Sequence, residues 1–147
     1  MYVYSLRDSS CPLAAYPESV GSNFCITGIV ADNHLYLGEK EKKLRVFKIT
    51  DSITEPHILV NVIETRNWVH NILRVGNELL LCEDKVHLEV LDIATSTITN
   101  SVQLGEGIFT SDIAAIDKTH FLFATSRGLL KASKNHLIKR YSSRDYV

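Results

Sequence analysis

The side chains in this chain that could do chemistry are six histidines, two close carboxylates, three cysteines and a basic-aromatic pair. The imidazoles belong to His34, His57, His70, His87, His120 and His136. Imidazole binds metal or relays protons when a second ligand stands at a fixed short spacing, and no two of these histidines are so placed. Glu39 and Glu41 could work as an acid-base pair, but they lie in Glu39-Lys40-Glu41-Lys42-Lys43, where ion pairing and water keep carboxylates ordinary. Cys11, Cys25 and Cys82 are odd in number and widely spaced, which suggests neither a disulfide framework nor a zinc knuckle. No residue is marked as a nucleophile. No catalytic residue, metal ligand or cofactor site is therefore expected. Arg66 and Trp68, flanking Asn67, are of the types that dominate protein-binding hot spots, and Trp68 packed into the interior is the competing reading.

The elements that position these groups follow from composition and period. Apolar residues make up 45% and charged residues 22% of 147 residues, with a net charge of -1, the balance of a globular domain. That charge offers nothing to nucleic acid or to an acidic membrane surface. Met1-Tyr2-Val3-Tyr4-Ser5-Leu6-Arg7-Asp8 has neither the basic lead nor the apolar run of a signal peptide, so the cytoplasm or the nucleus is the expected compartment.

A repeat runs through the chain. Ile29 to Gly38, Ile72 to Cys82 and Ile113 to Ala124 are each an apolar run, a polar turn and a second apolar run ending on a small residue. Gly38 and Cys82 are 44 positions apart, and Cys82 and Ala124 are 42 apart. Leu44 to Ile49 and Leu88 to Ile93 repeat at the same spacing and alternate with period two, as half-buried strands do. The predicted strands are Tyr2 to Leu6 and Leu13 to Tyr16; then Phe24 to Val30, Leu35 to Gly38, Leu44 to Ile49 and His57 to Ile63; then Val69 to Val75, Glu78 to Cys82, His87 to Ile93 and Thr97 to Val102; and last Ile108 to Ile116, His120 to Ala124, Gly128 to Ser133 and Leu137 to Tyr141.

A unit of 42 to 44 residues carrying four strands resembles the blade of WD-repeat and related β-propeller proteins over nearly the whole chain. Leu91-Asp92-Ile93 stands where that family ends its third strand in Trp-Asp and an apolar residue, and Phe47-Lys48-Ile49 is a weaker echo. The Gly-His pair that precedes the first strand in that family has no counterpart. The resemblance implies an all-β fold of four-stranded antiparallel blades, with a half blade at 1–23 and blades at about 24–68, 69–107 and 108–147. Closed propellers have about 4 to 8 blades, so three and a half make an incomplete ring. Another copy, another subunit or further sequence is expected to close it, because unpaired strand edges aggregate.

The expected function is a non-catalytic protein-protein interaction scaffold with protein partners, no nucleic acid, no membrane and no cofactor. Its contact residues are expected in loops on one face: Arg66, Asn67 and Trp68, with Lys85 and Arg127. The alternative is a hydrolase or lyase with a central site. It would draw on Thr27, Asn71, Arg74 and Asp112, the polar exceptions on the innermost strands.

Overall fold

Alternating β-branched, leucine and aromatic residues, interrupted every few positions by Asp, Asn, Gly and Thr, specify short strands joined by tight turns. The computed structural model describes residues 2–4, 12–15, 25–51, 57–84, 87–103, 110–126, 128–133 and 137–141. Among them the fold is all-β, and no helix is long and apolar enough to cross a membrane. Strands β1 (Tyr2–Tyr4) and β2 (Pro12–Ala15) pair antiparallel. The first blade is β3 (Cys25–Ala31), β4 (His34–Glu39), β5 (Lys43–Ile49) and β6 (His57–Glu64). The second is β7 (Val69–Val75), β8 (Glu78–Glu83), β9 (His87–Asp92) and β10 (Thr97–Gln103). The third is β11 (Thr110–Ala115), β12 (His120–Thr125), β13 (Gly128–Ser133) and β14 (Leu137–Tyr141).

Each blade is an antiparallel meander with its strands in sequence order. The innermost strands stand side by side, with β7 against β3 on one side and β11 on the other. This is the arrangement of propeller blades in an incomplete ring, and each of the fourteen strands expected from the repeat has a counterpart among the described residues, with Ser5, Leu6, Tyr16, Phe24, Ile108 and Phe109 lying outside them.

Two cores result, one per blade junction. Tyr36, Leu44 and Val46 of the first blade bury against Ile72, Leu79, Leu81 and Leu91 of the second. Leu80, Cys82, Leu88 and Val90 on the opposite face of the second blade bury against Ile113, Phe121, Phe123 and Leu130 of the third. Strands β8 and β9 are thus buried on both faces, the burial being Leu79 to Glu83 and His87 to Leu91 without a break. The small residue ending each second strand is explained at Gly38, where a Cβ would lie 2.9 Å from both the Cβ and the carbonyl oxygen of Val69. The neighbouring blade leaves no room there.

Turn chemistry sets the register. Asp32 and Asn33 take φ of 47° and 61°, as a two-residue hairpin needs. The carbonyls of Asn33 and Asn77, equivalent turn residues, accept from the amides of Ile49 and Ile93 at 2.9 and 3.0 Å. In the first two blades the turn between the first and second strands is joined in this way to the end of the third.

Candidate functional site

β4 and β8 each run one residue beyond the small residue that was expected to end them, and that extra residue is a glutamate. Glu39 was expected in a solvated turn; it and Glu83 are instead strand ends, 2% and 0% exposed. Strand register places Glu39 opposite Lys43 and Glu83 opposite His87, so the two blades are superposable here. Arg45 and Glu89 are likewise equivalent, facing Leu37 and Leu81.

In the second blade these positions build a buried polar cluster at the junction with the first blade. His87 and Glu89 are 5% and 3% exposed. His87 Nδ1 lies 3.0 Å from Glu83 Oε2, and His87 Nε2 lies 3.1 Å from Ser101 Oγ on β10. The Ser101 hydroxyl also reaches Glu89 Oε1 at 3.4 Å. One ligand atom from each of Glu83, His87 and Glu89 falls within 4.8 Å of the others. The connection between the blades caps the cluster: the Asn67 amide donates to Glu83 Oε2 at 3.0 Å, and Thr65 Oγ1 donates to the Asn67 carbonyl at 2.8 Å. Arg66 Nε comes only to 3.9 Å from Glu89 Oε1, with its side chain mostly in solvent.

The electrostatics follow from burial. Desolvation raises the Glu89 carboxyl to about 7, and the adjoining Glu83 carboxylate adds to the effect. Desolvation also raises Glu83, partly offset by hydrogen bonds from Glu89 and from the Asn67 and Arg66 amides. Burial lowers His87, which keeps the ring neutral. Two tautomers satisfy the geometry. With its proton on Nδ1 the ring donates to Glu83 and accepts from Ser101; with its proton on Nε2 it donates to Ser101, and its Nδ1 lone pair faces the carboxylates. The carboxylate-imidazole-hydroxyl order is that of a nucleophile relay, but Ser101 stands between His87 and Glu89, which holds its hydroxyl inside the cluster.

The residues expected to contact partners divide. Arg66, Asn67 and Trp68 share the capping connection, and the Trp68 carbonyl accepts from the Asp84 amide at 2.9 Å. Trp68 is 39% exposed, with Lys40 Nζ at 5.7 Å from its ring centre. Lys85 and Arg127 lie outside the described residues, as does His136. The remaining histidines serve locally: His34 Nδ1 is 2.8 Å from the Asp32 carbonyl, His57 meets the edge of Phe47, His70 lies 4.0 Å from Asp84, and His120 pairs with Asp117 in its own turn. The polar residues of the inner strands tie blades together. Asn71 Nδ2 donates to Asp112 Oδ1 between the second and third blades, and Arg74 Nη2 donates to Asp32 Oδ1 at 2.7 Å between the first and second.

No protein-family model matches the chain, and no curated protein matches it.

Proposed function

We propose that this chain is a protein-protein interaction scaffold built from propeller blades, of the WD-repeat-like kind, which docks another blade on the open face of its third blade. The observation that carries this reading is positional. Tyr36 and Leu44 in the first blade, and Leu80 and Leu88 in the second, are buried against the next blade. Their register equivalents in the third blade, Leu122 and Leu129, are only partly buried, and they line an open apolar hollow with Ala114 and Ala124. Ile116 beside them is 52% exposed. A sheet face patterned like two buried ones fits the same kind of occupant, and a second copy or further blades of the same protein supply it. Ile58, Leu59, Val60 and Val62 on outer strand β6 add exposed apolar surface, where β10 carries Thr97, Thr99, Asn100 and Ser101. Arg66 and Trp68, held on a pinned connection, make the partner-contact patch.

Light scattering of the purified chain tests the docking. The expected result is an assembly for the wild type and a folded particle of 16.5 kDa for Leu122→Arg. A wild type that is monodisperse at the monomer mass overturns this reading.

A further inference from the structure

We infer that Glu83, His87 and Glu89 form a binding site for a divalent transition-metal ion of the zinc class, seated between the first and second blades. The first blade shows what this position requires. There the buried Glu39 carboxylate meets the Arg45 guanidinium at 2.7 Å. In the second blade the residue equivalent to Arg45 is another carboxylate, and the residue opposite the first glutamate is an imidazole in place of Lys43. Two cations have been exchanged for two ligands. The nearest guanidinium, that of Arg66, stands off at 3.9 Å. Oε2 of Glu89, on a residue 3% exposed, accepts no hydrogen bond. Leaving such an atom dry and unpaired is costly, and buried charges are ordinarily paired or bound to metal.

The donor set is two carboxylate oxygens and one neutral imidazole, which suits zinc and its neighbours better than calcium or magnesium. Tetrahedral zinc holds its ligand atoms about 3.3 Å apart, given bonds of about 2.0–2.1 Å. His87 Nδ1 and Glu83 Oε2 are already 3.0 Å apart, and all three ligand atoms fall within 4.8 Å. Outer partners are in place as well. In the tautomer with its proton on Nε2, His87 donates to Ser101 Oγ at 3.1 Å and turns its Nδ1 lone pair inward, and the Asn67 amide holds Glu83 Oε2. This inference stands apart from the docking of the third blade, since its residues lie at the other junction.

The test is thermal unfolding of the full chain, stripped with chelator and then titrated with zinc chloride, alongside the visible spectrum after cobalt(II) addition. The wild type is expected to gain about 5–10 °C in midpoint with excess zinc, and to give the intense absorption of tetrahedral cobalt. Glu89→Gln, nearly the same shape, is expected to fold and to lose both responses. His87→Asn gives a second ligand deletion, should Glu89→Gln fail to fold. A wild type indifferent to zinc means that the two carboxyls share only a proton, and overturns the site. A zinc response retained in either ligand variant places the metal on surface histidines and overturns it equally.

Discussion

The first and second blades carry the same backbone at one buried seat and fill it differently. Glu39 is neutralised by Arg45, a cation fixed by the sequence, whereas Glu83 faces His87 and Glu89. The third blade has Thr125 and Leu130 at the corresponding positions, with Thr125 Oγ1 donating to the Gly128 carbonyl at 2.6 Å. One repeat has therefore been resolved three ways: a closed ion pair, a carboxyl pair that needs something further, and a neutral turn. Backbone register is shared by all three, so side-chain chemistry at that seat is what separates a structural junction from a candidate site.

Removing the first blade's cation has the largest expected effect. Arg45→Ala strands the buried Glu39 charge and is expected to lower stability by about 3–5 kcal/mol in urea unfolding. Glu89→Gln in the second blade, measured at pH 8 in chelator, is expected to be neutral or stabilising, because it removes one of two like charges. Equal losses in the two blades would erase the distinction.

Acidity sharpens the comparison next. The Glu89 carboxyl is raised from 4.5 to about 7, so its proton-linked stability is fully present below pH 4.5 and is lost as pH rises towards 7. In chelator the stability of the wild type relative to Glu89→Gln is expected to fall by on the order of 3 kcal/mol across that window. A flat difference would show that the pair is solvated. Gly38→Val, which drives a side chain into Val69, is expected to destabilise by about 1–3 kcal/mol without changing the response of the second blade to pH. Lys40→Ala at the Trp68 ring has the smallest expected effect, about 0.5–1 kcal/mol or less, read from the midpoint of unfolding.

The strands were legible because period-two alternation and turn residues recur at a fixed interval, so each blade confirmed the register of the last. The cluster was hidden by the same logic. Alternation in His87-Leu88-Glu89-Val90 implies one buried and one wet face, and it assigns Glu89 to water. Blade strands have no wet face at the junctions, so both Leu88 and Glu89 are buried, each against a different blade. Glu83, next to Asp84 and Lys85, reads as a hairpin charge until β8 is seen to continue through it. A sequence signal did exist: aligning the repeat puts Glu83 over Glu39 and Glu89 over Arg45, exposing a lost cation. Glu83 and Glu89 lie four and two residues from His87, but it is the pairing of β8 with β9 that sets Glu83 opposite it, and Ser101 comes from the fourth strand. The patch of Arg66, Asn67 and Trp68 was legible from residue type alone, whereas its attachment to Glu83 through the Asn67 amide was not.

The difference between the two blades is tested most directly by converting one into the other. Glu89→Arg recreates the pair of Glu39 and Arg45 in the second blade, and its free energy of unfolding in chelator at pH 8 can be compared with that of the wild type. A gain of about 2 kcal/mol or more is expected, because a buried carboxylate recovers its cation. A variant less stable than the wild type under those conditions would contradict the account, since the second blade would then need no cation at that seat.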